Sequence, residues 1–127
     1  MNNTELFSTI QEASSRSGLT THTLRYYEKI GLLHDIQRDK SGKRFYSEED
    51  MSWIIFLLRL RETGMSIQQM LRYSDLRREG ESTVKDRRKM LEEHQVLVRA
   101  KIAALQENSE VLHKKIELYE ELELGLS

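Results

Sequence analysis

Two short segments of this 127-residue chain have side chains suited to binding a charged partner. In the first, Arg25 and Tyr26 follow a run of small polar residues, and in the second Lys43 and Arg44 follow a glycine. An arginine can donate a forked pair of hydrogen bonds to a phosphate or to guanine, and a tyrosine hydroxyl can donate to a phosphate oxygen. On residue types alone, phosphate binding and a solvated charged surface are equally good interpretations. The elements that position these side chains must decide between them.

The first segment is predicted to lie on the second helix of a helix-turn-helix. Ser8 can cap a short helix that Gly18 ends, because glycine tolerates the positive φ that often follows a helix. Thr20 can then cap a second helix, which has Leu24 on its apolar face and Gly31 at its end. Two short helices joined by a glycine-containing turn are the layout in which the second helix enters the major groove of DNA.

The second segment is predicted to form a two-stranded hairpin. Residues 32–46 have an apolar start, a polar centre that contains Gly42, and an aromatic end. A lone hairpin is only marginally stable in water, so this one must pack against the neighbouring helices as a wing. Its turn would then present Lys40, Lys43 and Arg44 to a polyanion.

A pair of apolar helices is predicted to supply most of the core. Ser47 and the acids that follow it are typical of a helix start, and Gly64 is typical of a helix end. Ser66 then begins the partner helix. Trp53 lies within the first helix of the pair, and we interpret it as a packing residue rather than a platform for a bound drug.

From residue 84 onward, apolar residues recur every seven positions, which is the pattern of a coiled coil. A helix of this length would reach about 60 Å, and no other segment of the chain could pair with it along its whole length. We therefore expect a two-fold dimer through an antiparallel coil, although the sequence leaves a parallel coil open. The residues predicted to form the dimer contact are Val84, Leu91, Val98, Leu105, Leu112 and Tyr119.

Together these elements predict a mainly α fold in two parts. Residues 1–78 would form a winged helix-turn-helix domain with its supporting helix pair, and residues 84–123 would form a dimerisation helix. Residues 79–83, which contain a glycine and several polar residues, would be the hinge between them, and residues 124–127 would be a tail.

Composition excludes several kinds of chemistry. The chain has no cysteine, so it cannot form disulfides, thiolate metal sites, iron–sulfur clusters or cysteine nucleophiles. Its four histidines form neither an HExxH motif nor a pair four residues apart, so we expect no metal site and no cofactor. No GxSxG motif occurs, and the chain is too short to bury a catalytic triad in a large core, so we expect no enzyme activity.

The total charge is close to neutral, with 20 basic and 21 acidic residues, but the two signs are segregated along the chain. Residues 20–46 hold six bases and three acids, whereas residues 117–127 hold four glutamates and no base. Neutrality of the whole chain therefore does not exclude a nucleic-acid partner. No apolar run reaches the ~18 residues of a membrane span, and the N-terminus lacks the layout of a signal peptide, so we expect a cytoplasmic protein without a membrane partner.

The strings TTHTLRYYE, GLL and SGKRFYS resemble the MerR family of bacterial transcription regulators over roughly residues 7–70. The resemblance implies a winged helix-turn-helix that binds DNA. The family positions that contact the DNA backbone match Arg25, Tyr26, Arg44 and Arg61. Tyr27 is expected mainly to pack, with its hydroxyl at the rim. The complete predicted DNA-binding set is Thr21, His22, Thr23, Arg25, Tyr26, Tyr27, Lys40, Lys43, Arg44, Tyr46 and Arg61.

The resemblance also bears on regulation. Many members of the family distort the spacer of a promoter so that RNA polymerase can align with both promoter elements, which implies an indirect partnership with RNA polymerase. The segments DMSWIIFLLRLRETGMSIQQM and REGESTV look most similar to a branch that responds to aldehydes and other electrophiles. That branch has a cysteine where this chain has Arg59. Because an arginine cannot be alkylated or oxidised as a thiolate is, we predict a signal that is not thiol-based, or constitutive action.

Two alternative functions are left open. The chain could be a coiled-coil interaction module whose winged domain docks a protein, and then Arg44→Ala together with Tyr26→Phe would change no DNA binding. It could instead be an excisionase-like architectural protein that bends DNA without activating transcription. The long dimerisation helix disfavours this second alternative.

Overall fold

A computed structural model describes residues 6–126 as a mostly helical protein with one small sheet. It divides into two compact units between Val84 and Lys85. The predicted fold class, a mainly α protein with a helix-turn-helix, a wing and a long C-terminal helix, is confirmed. Predictions that concern residues 1–5 and Ser127 lie outside the described residues.

Helices α1 (Ile10–Ser17) and α2 (Thr21–Ile30) form the helix-turn-helix. Gly18 follows α1 with φ at 83°, a conformation that residues with a Cβ rarely adopt. Ala13 of α1 and Leu24 of α2 are fully buried, so the apolar sides of both helices belong to the core. Packing of these sides fixes the turn between the helices.

Helix α1 begins one residue later than predicted, because its N-cap is Thr9 and not Ser8. The Thr9 hydroxyl accepts a hydrogen bond from the Glu12 amide at 3.1 Å, and the Glu12 carboxylate accepts one from the Thr9 amide at 2.9 Å. These hydrogen bonds lower the pKa of Glu12. Ser8 lies instead in strand β1 (Ser8–Thr9), where its hydroxyl accepts a hydrogen bond from Arg16.

The wing is part of a three-stranded antiparallel sheet and not the two-stranded hairpin predicted. Strands β2 (Gln37–Arg38) and β3 (Arg44–Tyr46) form the expected hairpin, and β1 pairs with the other edge of β3. Because β1 has only two residues, it shows no alternating apolar pattern that a sequence could reveal. Its pairing joins the wing to the start of α1.

Asp39 shapes the turn at the tip of the wing. Its Oδ1 accepts hydrogen bonds from the Ser41 hydroxyl, the Ser41 amide and the Lys43 amide at 2.7–2.9 Å. These contacts lower the pKa of Asp39, with the Ser41 hydroxyl as the largest cause. Gly42 follows in the left-handed region with φ at 86°. The basic side chains of the tip are therefore held on a defined turn.

Helices α3 (Glu48–Glu62) and α4 (Ile67–Glu79) contribute a smaller part of the core than predicted. They supply seven of the sixteen buried hydrophobic residues in the described part of the chain. The others come from the helix-turn-helix, the wing and the segments that connect the elements. Trp53 is a packing residue, as interpreted from the sequence. Its ring stacks on Tyr73 with the centroids 5.9 Å apart, and its Nε1 donates to the Leu32 carbonyl at 2.8 Å.

A glycine and one 3₁₀ turn connect α4 to the last helix. Gly80 has φ at 91° and ψ at −149°, a backbone conformation open essentially only to glycine. The 3₁₀ turn Glu81–Thr83 follows, and its buried Thr83 hydroxyl lies within hydrogen-bonding distance of the Leu76 and Gly80 carbonyls. The segment predicted to be a hinge is thus hydrogen-bonded to the end of α4, and motion there stays a prediction.

Helix α5 (Val84–Leu126) contains 43 residues, and none of them is buried. The helix passes the predicted boundary at residue 123, so the described part of the predicted tail is helical. Leu105 and Leu112, two of the predicted dimer contacts, are 67% and 65% exposed. Despite its length α5 is not apolar enough to cross a membrane, and neither is any other helix within residues 6–126.

Candidate nucleic-acid interface

Helix α2 presents an apolar side to the core and a polar side to solvent. Thr20 caps the helix by accepting a hydrogen bond from an amide of the first turn at 3.0 Å. Leu24 and Tyr27 lie on the buried side, three residues apart. The predicted DNA-binding residues at the start and outer side of α2 are Thr21 and Thr23, which are partly exposed, and His22, Arg25 and Tyr26, which are exposed.

A carboxylate on α2 joins this helix to the wing. Glu28 accepts a hydrogen bond from Nε of Arg44 at 2.6 Å, and its second oxygen lies 3.5 Å from Nη2 of Arg38. Arg38 also donates from Nη1 to the Gly42 carbonyl at 3.2 Å. The side chains of Glu28 and Arg44 are 23% and 22% exposed, so water screens their attraction less than it screens a fully exposed pair.

A groove of about 440 Å³ lies among the start of α1, helix α2 and the wing. Its basic lining residues are Arg25 from α2 and Lys43 and Arg44 from the wing, and Asp39 is the acidic one. Three basic side chains outnumber the one carboxylate, so the lining of the groove has a net positive charge. An open groove of this charge suits a phosphate of a nucleic-acid backbone.

Two family models match the chain. The model described as MerR HTH family regulatory protein matches residues 8–75, which is more than half of the chain. The chain belongs to the MerR family. A second MerR model, described as DNA binding, matches residues 51–115.

Relatives of known name and solved MerR structures are similar over most of the chain. AdhR, a transcriptional regulator of Bacillus subtilis strain 168, is 42% identical over 90 residues, which are 70% of this chain and 64% of AdhR. The chain thus spans less than two thirds of the length of AdhR. HiNmlR, a MerR family regulator lacking the sensor domain, is bound to promoter DNA in its crystal structure. It is 30% identical with a TM-score of 0.85, covering 91% of this chain and 87% of that one.

A MerR family structure from Listeria monocytogenes is also similar. It is 39% identical with a TM-score of 0.82, and the match covers 89% of this chain and 86% of that chain. A match over 89% of the chain includes residues of both the first unit, called here the winged unit and ending at Val84, and the long helix. The fold predicted from the MerR resemblance is therefore shown by sequence and by structure.

Besides Thr21, His22, Thr23 and Tyr26 on α2, the predicted MerR contacts fall into three groups. Arg25, Lys43 and Arg44 come together at the groove. Lys40 is exposed at the wing tip and Arg61 is exposed in the last turn of α3, and neither lines the groove. The third group is buried and consists of two tyrosines.

Burial removes Tyr27 and Tyr46 from the predicted DNA contacts of this MerR chain. Tyr27 is 2% exposed, and Tyr46 is fully buried. The Tyr46 hydroxyl has no hydrogen-bond partner among the described residues, and burial raises its pKa. A side chain enclosed by the fold has no surface left for DNA. Both tyrosines therefore support the packing of the recognition helix and the wing.

Glu28 and Arg38, which form the contact between α2 and the wing, are residues of the candidate site that sequence reasoning missed. The available signal was the position of Glu28 at the end of the LRYYE string, directly after the predicted DNA contacts of that string. However, the sequence alone does not show which base a carboxylate will meet. That depends on how the wing folds back against α2, and the contact joins residues 10 and 16 positions apart.

Position 59 carries an arginine that is exposed and paired. Arg59 donates to a Glu62 oxygen at 3.1 Å on the surface of α3, and its side chain is 67% exposed. An exposed ion pair of this kind stabilises a helix by at most about 0.5 kcal/mol. It offers none of the chemistry of a thiolate.

Metal-binding side chains do not converge in the described part of the chain. Within residues 6–126, no three histidine, aspartate or glutamate side chains are placed to hold one metal ion. His34 is partly buried, and desolvation, followed by the charge of Arg78, lowers its pKa. This shift favours the neutral imidazole near physiological pH.

Proposed function

We propose that two copies of this MerR chain form a dimer that binds promoter DNA at a specific sequence and regulates transcription. The observation that supports this best is the groove at which Arg25, Lys43 and Arg44 converge beside the exposed side of α2. A recognition helix can reach base edges in the major groove while a wing contacts the phosphate backbone. HiNmlR, which is 30% identical, is bound to promoter DNA in its crystal structure, and this supports the same partner here.

We assign different parts of the interface to specificity and to affinity. Thr21, His22 and Thr23, at the start of α2, are small or polar enough to approach base edges. The residues proposed to contact phosphates are Arg25, Tyr26, Lys40, Lys43, Arg44 and Arg61. Binding should weaken steeply as salt increases, because each phosphate contact releases counterions from the DNA.

The dimer is proposed to form along α5. The apolar side chains of its seven-residue repeat are exposed or partly exposed in the single chain, and Leu105 and Leu112 are among the exposed ones. A second copy can cover them in a coiled coil, which we propose to be antiparallel. A two-fold dimer has two identical recognition helices, so the DNA site should contain two half-sites related by the same symmetry.

The dimer is proposed to act by changing the shape of promoter DNA, so that RNA polymerase responds to the DNA and not to a direct contact. No catalytic step or cofactor belongs to this proposal. The signal is proposed not to be thiol-reactive, because the chain has no cysteine and position 59 holds an arginine. Formaldehyde added to a purified transcription reaction should therefore change nothing, and strong activation would contradict this part of the proposal.

Selection of binding sites from a random duplex library tests the function. We expect enrichment of a two-fold symmetric site. On that site, Arg44→Ala should weaken binding about ten-fold through loss of a phosphate contact. Arg72→Ala is the matched control, since it removes an exposed charge from α4 outside the interface. Failure to enrich any site, or equal binding by Arg44→Ala and the unchanged protein, would contradict the proposal.

The two alternative functions predict different results in the same system. A protein-docking module would enrich no DNA site at all. An architectural protein would bind and bend the enriched site but leave transcription unchanged. Measuring transcription from a promoter whose spacer contains the enriched site separates a regulator from a protein that only bends DNA.

A further inference from the structure

We infer that Glu28 is a positioning residue for DNA binding, whose carboxylate fixes the wing against α2 and orients the guanidinium of Arg44 toward the groove. The inference rests on the proposed function, because it assumes that the groove holds a phosphate of DNA. Glu28 does not line the groove, and so it acts through the arginine that does.

The hydrogen bond to Arg44 uses Nε, the nitrogen that an end-on fork to a phosphate does not need. Glu28 accepts from Nε at 2.6 Å, and no hydrogen-bond acceptor contacts Nη1 or Nη2 of Arg44 among the described residues. A guanidinium held by Nε keeps its two terminal amino groups for a second partner. Two such groups match two oxygens of one phosphate, and Arg44 lines the groove where that phosphate would lie.

The same carboxylate also holds the other strand of the hairpin. Its second oxygen lies 3.5 Å from Nη2 of Arg38 in β2, and Nη1 of Arg38 donates to the Gly42 carbonyl in the turn. Glu28 therefore contacts both strands of the wing from the side of α2. On the opposite edge of β3, two residue pairs with β1 hold the sheet.

The charged groups of this region form one compact cluster. Burial raises the pKa of Tyr46, and the charges of Arg44, Glu28, Arg25 and Arg38 all act on the same hydroxyl. Three arginines and one carboxylate act on this hydroxyl, so basic groups outnumber acidic ones in the cluster. Glu28 can thus orient Arg38 and Arg44 without cancelling the attraction for DNA.

The inference and simple charge repulsion predict changes in DNA affinity of opposite sign. A carboxylate close to DNA repels phosphates, so its removal should tighten binding if charge alone mattered. Glu28 in a positioning role predicts weaker binding after its charge is removed, because Arg44 loses the strong charge-assisted hydrogen bond that directs it. The two roles can therefore be distinguished by the direction of the change in affinity.

The test measures the affinity and salt dependence of Glu28→Gln for a fluorescent duplex that carries the site enriched by the unchanged protein. We expect binding to weaken about ten-fold and the slope of log K against log salt to become shallower by about one, the loss of one phosphate contact. Glu62→Gln is the matched control, because it removes an exposed carboxylate of the same unit that pairs only with Arg59 in its own helix. This variant should bind with unchanged or slightly higher affinity.

A double-mutant cycle shows whether Glu28 acts through Arg44. In an Arg44→Ala background, Glu28→Gln should change affinity less than about two-fold, because the group it positions is absent. Tighter or unchanged binding by Glu28→Gln alone, or its full effect in the Arg44→Ala background, would overturn the inference. No effect of Arg44→Ala itself would contradict the proposed function instead, so the two failures differ.

A second variant keeps the test decisive if Glu28→Gln folds poorly by circular dichroism. Glu28→Asp retains the negative charge but shortens the side chain, so the carboxylate no longer reaches Nε of Arg44 at its present distance. We expect Glu28→Asp to bind DNA several-fold more weakly with normal thermal unfolding. Wild-type affinity and wild-type salt slope in this variant would show that charge, and not position, is what matters.

Discussion

The winged unit and helix α5 obtain their structures in different ways. The described part of the unit that ends at Val84 has sixteen buried hydrophobic residues, whereas none of the 43 residues of α5 is buried. The first can therefore draw its stability from contacts within one chain. The apolar residues of α5 gain comparable burial only when a second copy covers them. The stability of the first unit should not depend on protein concentration, while the order of α5 should be linked to dimer formation.

Breaking the contact along α5 should have the largest effect. A double variant, Leu105→Glu with Leu112→Glu, places charges in the proposed dimer contact and should yield monomers in sedimentation experiments. A monomer reaches only one half-site, so DNA affinity should fall by about 1,000-fold, roughly 4 kcal/mol. Ala103→Glu is the control, because a residue two positions from Leu105 lies on nearly the opposite side of the helix. A stable dimer of the double variant would contradict the proposed dimer contact.

A cavity made in the core of the winged unit should lower the stability of each chain independently of dimer formation. Leu57 is fully buried in α3, and Leu57→Ala should lower the free energy of unfolding by about 3 kcal/mol through lost burial and an incompletely filled cavity. Urea unfolding should show the same loss at low and high protein concentration. Leu112→Ala on α5 is the matched comparison, and its effect should depend on concentration. If the stability losses of Leu57→Ala and Leu112→Ala depended equally on protein concentration, the proposed difference between the winged unit and α5 would be wrong.

The strongest sequence signals are local, and they explain which parts of the fold could be predicted. Thr20 and Gly31 bound α2 as expected, because a cap and a left-handed glycine act within a few residues. The repeat of α5 was equally clear, since a seven-residue period needs no knowledge of the rest of the fold. Strand β1 could not be predicted, because two residues that pair with a strand about 36 positions away leave no local pattern.

The candidate site shows the same limit. Arg25 and Arg44 could be singled out because their residue types and the helix-turn-helix layout indicate phosphate contacts. Burial of Tyr46 could not be foreseen, because an aromatic residue at the end of a hairpin can face either side of a sheet. The pairing of Glu28 with both arginines of the wing also depends on tertiary structure. Long-range contacts of this kind determine which residues of a motif face DNA and which face the core.

Loss of one buried hydrogen bond should have a moderate effect on the winged unit. Trp53→Phe keeps an aromatic ring beside Tyr73 but removes the donor to the Leu32 carbonyl. The free energy of unfolding should fall by about 2 kcal/mol, since the carbonyl loses its shortest hydrogen bond inside the core. Tyr73→Phe is the control, because it keeps the stacked ring and should change stability by less than about 0.5 kcal/mol. Equal losses in the two variants would show that the hydrogen bond of Trp53 makes no contribution of its own.

The smallest expected effect is a pH dependence of the free energy of unfolding of the winged unit. His34 has its Nε2 buried without a hydrogen-bond partner among the described residues, and burial, then Arg78, lower its pKa below the ordinary 6.5. The unfolded chain therefore binds a proton more readily than the folded chain, and the free energy of unfolding decreases as pH falls from above 6.5 through the lower pKa of the folded state. Asp35 and Asp75 oppose this shift, which keeps the effect small.

Urea unfolding at about pH 7.5 and about pH 5.5 measures this dependence in a range above the ordinary pKa values of carboxylates such as Asp39. In His34→Gln the loss of stability between the two pH values should become smaller, because the group that takes up the proton on unfolding is absent. His22→Gln, which removes an exposed imidazole from α2, should keep the wild-type dependence. An unchanged pH dependence in His34→Gln would mean that protonation of another group destabilises the winged unit in mild acid.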